Sequence, residues 1–280
     1  MKKFVVLLSA LVPMLLHAQR LHLDLSGGFS NYLGDLQEKS VTLEQSNRAF
    51  GIGASYDLTR HWSLRAGFAA GKIEADDKAN TAASLQQRNL NFHSSIREFH
   101  VMAQYDFLDL RYHKLTPYVF GGLALYHFNP YTYDSLGAKI YLRPLSTEGQ
   151  GLAAYPGRKN YRLTQLALPF GAGVKLRLRD NITVSYELGL RKLFTDYLDD
   201  VSSTYVDQAA LLAAKGGTAV AMAYRGGELK NSTAAYPAAG AIRGNPRLKD
   251  WYYLHGLTIG IGINTGRNRR SRMDCPVDVR

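Results

Sequence analysis

The chain has 280 residues, with 18 Tyr, 26 Gly, a single Cys and a formal net charge of +11. Its mean hydropathy is -0.21, and past the N-terminus no run reaches the roughly 20 apolar residues of a membrane-spanning helix, so a helical membrane protein is excluded. One cysteine excludes an internal disulfide framework, and the basic charge, which would otherwise suit nucleic acid, belongs here to a chain that opens with an export signal.

That signal is the first element. Lys2 and Lys3 form a positive start, residues 4–16 are apolar but too short to cross a bilayer, and His17-Ala18 closes the stretch. The pattern predicts a secretory signal peptide over 1–18, with Leu16 in place of a small residue three positions before the cut and Gln19 as the first mature residue. Positive charge on an exported chain has anionic lipid headgroups or an acidic protein to face, and no nucleic acid. Cys275 lies far from any lipidation position behind the signal and reads as an incidental thiol.

Next come segments with a period of two, the signature of strands with one apolar face. Leu21, Leu23 and Leu25 alternate with His22, Asp24 and Ser26. Phe50, Ile52 and Ala54 alternate with Gly51, Gly53 and Ser55; Trp62, Leu64 and Phe68 with Ser63, Arg65 and Ala69. Phe99, Val101 and Ala103 alternate with His100, Met102 and Gln104, and residues 118–128 are apolar on both faces. Leu166, Phe170, Val174 and Leu176 face Ala167, Gly171, Gly173 and Lys175. Ile182, Val184 and Leu188 face Thr183, Ser185, Glu187 and Arg191, and Leu257, Ile259 and Ile261 face Gly256, Thr258, Gly260 and Gly262.

A soluble sandwich shows the same alternation. The connections favour a membrane barrel: 58–61, 108–116 and 178–181 are short, whereas 31–48, 75–89, 129–162 and 199–249 are long, in strict alternation. Outer-membrane barrels combine short periplasmic turns with long external loops. The expected fold is therefore all-β, a transmembrane antiparallel up-and-down barrel of about eight strands over 19–264, in the outer membrane, with both termini in the periplasm. Arg65, Lys175 and Glu187 then fall on the lumen face, where charges must pair, and Glu187 is expected to join Arg65 or Lys175. Trp62, Trp251, Tyr32, Tyr126, Tyr197 and Tyr253 lie near strand ends, where aromatic girdles form.

The largest loop holds an Ala-rich stretch, 208–223, broken at Lys215-Gly216-Gly217. It suggests a short helix or an extra hairpin, covering the barrel mouth or lying free in solvent. A basic tail, 265–280, carries Arg267, Arg269, Arg270 and Arg272 and is a candidate docking segment for an acidic periplasmic partner.

The sequence offers little chemistry. It has no metal-ligand spacing, phosphate loop or nucleophile elbow, and no cofactor is expected. Asp76-Asp77 and Asp199-Asp200 are sequence neighbours, which point apart on an extended chain. A lipid-modifying enzyme would need a nucleophile system, and Ser55, His127 and Glu98 make one only by free choice among the polar residues.

Several runs bear a family resemblance. They are Asn31-Tyr32-Leu33-Gly34-Asp35, Arg88-Asn89-Leu90-Asn91-Phe92, Pro117-Tyr118-Val119-Phe120-Gly121-Gly122, Arg143-Pro144-Leu145-Ser146-Thr147-Glu148-Gly149-Gln150-Gly151 and Phe194-Thr195-Asp196-Tyr197-Leu198-Asp199-Asp200-Val201. In these the chain resembles the PorG family, outer-membrane barrels of the Bacteroidetes type IX secretion system. The resemblance implies a non-enzymatic role, anchoring or helping assemble a periplasmic ring of a PorK-like lipoprotein and a PorN-like protein. No catalytic residue comes with it. A generic barrel acting in adhesion or envelope stability through its loops is the alternative, followed by the lipid-modifying enzyme.

Overall fold

The computed structural model describes residues 21–38, 45–230, 232 and 234–263. The expected signal segment and the basic tail with Arg267, Arg269, Arg270 and Arg272 lie outside the described residues. In chain order the strands are β1 (Leu21–Leu33), β2 (Asn47–Asp57), β3 (Trp62–Asp76), β4 (Asn91–Asp106), β5 (Leu115–His127), β6 (Tyr131–Tyr133), β7 (Lys139–Tyr141), β8 (Thr164–Arg179), β9 (Ile182–Leu193) and β10 (Trp251–Gly262).

Eight of them form one antiparallel ring, β3-β2-β1-β10-β9-β8-β5-β4, which the β3–β4 pairing closes. The remaining two, β6 and β7, make a hairpin in the β5–β8 loop, attached to β4 at His93↔Tyr131. A closed ring leaves no wall strand with unpaired backbone groups, the condition a sheet must meet in hydrocarbon.

The apolar half of each period points outward. Phe50 is 65% exposed, Leu123 61%, Ile52 60% and Leu166 57%, and Leu25, Phe68, Phe99, Leu188 and Leu257 share that orientation. Such a continuous apolar exterior suits lipid and is far larger than the patches water-soluble monomers carry. The inward half is mostly small or polar, with a few large side chains such as Met102, Tyr118 and Phe120 among them. Gly173 shows why: a Cβ there would lie 2.6 Å from the Tyr118 ring, so glycine on β8 makes room for a large lumen side chain from β5.

The apolar core sits above the ring, at the long-loop end. Tyr32, Leu36, Ile73, Phe92, Tyr126, Phe128, Leu198 and Tyr252 form one buried cluster. The upper ends of β3 and β4 stay paired through Asp76↔Asn91, because their inner side chains, Ile73 and Phe92, pack into it. The largest loop contributes α2 (Gln208–Lys215) and α3 (Gly217–Ala223), after α1 (Ala83–Arg88) in the β3–β4 loop. The Ala-rich stretch is thus two helices separated at Gly216, whose φ is +83°, and Leu211, Ala219 and Ala223 pack beneath them with Val206. Among the described residues no helix is long and apolar enough to cross a membrane.

Candidate functional site

Alternation along the strands delivers the charged lumen residues. Arg65 on β3 reaches across to Glu187 on β9 through two contacts, Nη1 to Oε2 at 2.8 Å and Nη2 to Oε1 at 3.2 Å. The Tyr118 hydroxyl donates to the same carboxylate at 2.9 Å, and Arg65 also donates to Gln104 at 3.2 Å. Lys175 is not part of that pair: its Nζ lies 2.9 Å from Asp106 Oδ2, nearer the short-turn end. A small polar space remains there, lined by His22, Asp24, Asp57 and Lys175 among others.

A second tier, which sequence reasoning did not single out, lies nearer the long loops. Arg191 holds Glu98 through Nε at 3.0 Å and Nη2 at 3.2 Å. The Tyr252 hydroxyl donates to Glu98 at 2.6 Å, and His100 Nδ1 stands 2.9 Å from it. Buried Met102, Tyr118 and Phe120 pack between the tiers. Ion pairs and rings therefore obstruct the lumen at two levels, and space lined by Ser26, Arg65, His100, Met102 and Arg191 remains between them.

Over the long-loop end sits a polar cap, and the family-like runs meet in it. Glu148 is fully buried and accepts from the Ser202 amide at 2.9 Å, the Ser203 hydroxyl at 2.7 Å, the Tyr197 hydroxyl at 3.2 Å and Arg243 Nη1 at 2.9 Å. Its own amide donates to Gln150 Oε1 at 3.1 Å. Gly149 holds φ +78°, and a Cβ there would fall 2.8 Å from Val206 and 2.9 Å from the Tyr155 ring; only glycine fits on both counts. The Gly151 amide donates to the Arg158 carbonyl at 2.7 Å.

Asp200 accepts from the Tyr161 hydroxyl at 2.7 Å and Thr147 at 2.5 Å, and Asp196 from the Ser202 hydroxyl at 2.8 Å. The Tyr32 hydroxyl donates to Asp199 at 2.6 Å and lies 3.3 Å from Asp250, with Gly34 against both Tyr32 and Asp250. Asp35 accepts from the Asn245 amide at 2.9 Å. Arg88 clamps Asp77 at 2.7 Å and donates to the carbonyls of Asp35 and Arg243. Loops from β1, β3, β5 and β9 are thereby tied into one body.

Burying carboxylates here raises their pKa. Burial pushes Asp200 and Asp196 up to about 6. Asp199 and Asp250 go well above the carboxylate range, first through burial, then through nearby carboxylates, Asp35 for the former and Asp199 for the latter.

One expectation changes. Tyr32, Tyr126 and Tyr197 are not girdle residues, because Tyr32 and Tyr126 share the inward phase of their strands and end in the buried cluster, while Tyr197 stacks on Tyr161 in the cap at 5.0 Å. Trp62 does face outward, 48% exposed. Ser55, His127 and Glu98 do not converge either: Ser55 lines the short-turn space, His127 is exposed beside Thr164, and Glu98 is locked by Arg191. Among the described residues no group of His, Cys, Asp and Glu is arranged to hold a metal.

Among solved structures the chain is similar to Neisserial surface protein A, at 8% identity over 86% of this chain and 96% of that one, TM-score 0.43. It is similar to the attachment invasion locus protein Ail of Yersinia pestis (10%, 86% and 97%, TM-score 0.40) and to the outer membrane protein OprG of Pseudomonas aeruginosa (11%, 87% and 97%, TM-score 0.38). These are outer-membrane proteins, but the likenesses are distant and nothing about function follows from them. No curated protein matches the sequence. A family model described as a domain of unknown function, DUF6089, matches residues 1–213, and the chain belongs to that family.

Proposed function

We propose that this protein is an integral outer-membrane barrel that serves a type IX secretion apparatus as a non-enzymatic anchor, holding or helping assemble its periplasmic ring. The observation that carries this reading is the lumen obstructed at two tiers beneath a cap built from the PorG-like runs. A barrel whose bore is occupied by Arg65–Glu187, Arg191–Glu98 and packed rings has its two ends and its outer wall to act with. At one end the PorG-like residues, from Tyr32 to Asp200, are turned inward to bind the loops together, so they act as structure. The other end presents short turns, where Tyr112 is 78% exposed and Leu58 46%, beside the position from which the tail with Arg267, Arg269, Arg270 and Arg272 departs. Docking to PorK-like and PorN-like ring proteins belongs to that end, with both termini in the periplasm.

Deleting the gene should abolish or sharply reduce secretion of type IX cargo, and ring proteins should co-purify with the wild-type barrel. Trimming the chain after Thr265 should weaken that co-purification while leaving the barrel folded. Normal cargo secretion in the deletion strain would sink the reading.

A second reading, adhesion through the external loops, draws on Leu136 and Ile242, which are 92% and 83% exposed at the long-loop end. It predicts normal cargo secretion and reduced attachment when both are replaced by Ser.

A further inference from the structure

The outer wall carries a charged patch that the anchoring role does not use. Arg48, Lys72 and Arg97 lie on the neighbouring strands β2, β3 and β4, all exposed. Each is in the outward phase of its strand, Arg48 and Arg97 immediately above Phe50 and Phe99, and Lys72 above Ala70 and Phe68. The register Ala49↔Gly71 sets Arg48 level with Lys72, and Ala70↔Arg97 puts Arg97 one outward step away on the next strand. Directly opposed neighbours on one face are about 5 Å apart and diagonal ones about 7–8 Å, so three cations crowd one arc of the wall. His127, exposed on β5, extends the row at Arg97↔His127.

No ion-pair partner for the three exists among the described residues. The outward carboxylate above them, Glu74, is engaged with His93 at 2.9 Å. On the far arc the corresponding outward positions are Thr164, Lys192 and Trp251, with one cation among them, and Arg162 is exposed one step beyond Thr164. The charge is therefore concentrated on one side, where the apolar belt gives way to the long-loop end.

We propose that this arc binds the phosphate-bearing headgroup of an acylated lipid in the leaflet on the long-loop side. The occupant follows from the two chemistries that meet there. Guanidinium and ammonium groups suit phosphate oxygens, with arginine able to take two at once. The phenyl rings directly beneath suit acyl chains, so one amphiphile satisfies both. A soluble acidic protein would match the cations and leave the phenyl rings to bulk lipid.

The test uses the full chain folded in uncharged detergent micelles, with bound lipid counted by native mass spectrometry. The probes are diphosphoryl lipid A and its dephosphorylated form. The expected result is binding of the diphosphoryl form, at least about tenfold tighter than the dephosphorylated one. The triple variant Arg48→Gln, Lys72→Gln, Arg97→Gln should lose roughly a hundredfold in affinity, about fivefold per cation, whereas Lys192→Gln on the far arc should keep wild-type binding. Equal binding of the two lipids by the wild-type chain overturns the proposal without recourse to any variant, and so decides the matter even if the triple variant fails to fold. Wild-type affinity in a folded triple variant overturns it too. A comparable loss in Lys192→Gln replaces the site with diffuse charge. Full displacement of lipid A by an equal concentration of inorganic phosphate would make it a site for free anions.

Discussion

Glu187 illustrates what a lumen charge is worth. It stands between Arg65, Tyr118 and a wall of small residues, with little water to stabilise it if its cation is removed. Arg65→Met alone should destabilise the barrel by about 3–5 kcal/mol, since it leaves a buried charge unpaired. Adding Glu187→Leu should recover most of that, because an apolar pair of similar volume replaces a costly ionic one. Urea unfolding of the refolded barrel measures both, and additive losses in the double variant would contradict the pairing. Asp200 makes a second residue-scale prediction. Its folded pKa, about 6, lies above the usual carboxylate value, so the folded cap binds its proton more tightly than the unfolded loop does. Its contribution is fully favourable below about pH 4 and is lost as pH rises toward 6. Amide protection in the 194–206 loop, taken relative to intrinsic exchange at each pH, should therefore be greater at pH 5 than at pH 7.5, and Asp200→Asn should flatten that dependence. The lumen phase of Arg65, Lys175, Glu187 and Arg191 was readable from the period of two. Their partners were not, since Arg191 finds Glu98 at a separation of 93 residues and nothing local encodes which strand lies across the bore.

At the level of elements, seven wall strands were visible as alternating segments and the eighth, 118–128, as an apolar run without a phase, and the long connections were visible only as length. Their content, a cap with its own buried cluster and hydrogen-bond network, escaped because a core made by irregular loops has no period to detect. Glycines in the Glu148 run carried a trace of it. Gly149→Ala should cost about 1–3 kcal/mol of cap stability through its left-handed backbone alone, and more through contact with Val206 and Tyr155. Limited proteolysis of the 194–250 loop reads this, while heat-modifiable migration on gels should show the barrel intact. The aromatic girdle went astray for an instructive reason. Nearness to a strand end says nothing about which way a ring points, whereas counting from Asp24 and Ser26 in steps of two already sets Tyr32 inward.

For the molecule as a whole, the alternation of short and long connections separated a membrane barrel from a soluble sandwich, and the outward rows of Leu, Ile and Phe agree with that separation. A charge placed on this exterior tests it. Ile52→Arg should destabilise the inserted barrel by about 2–4 kcal/mol if the position lies near the bilayer midplane, whereas Ser26→Lys, on the lumen face of the neighbouring strand, should cost less. Equal costs would mean that the exterior does not meet hydrocarbon. Which macromolecules the two ends recognise was not legible, because a docking surface is defined by its partner's shape as much as by its own residues.

The hydroxyl of Tyr32 has a consequence for the order of assembly. It leaves β1, the first strand made, and reaches carboxylates at 199 and 250 that flank the last loop, the second of them next to β10. Both can be met only once the two ends of the sheet have zipped together, so the lid cannot be fastened on a ring that is still open. Resistance of the outer loops to added protease is then a clock for membrane insertion, starting when the seam shuts and never before.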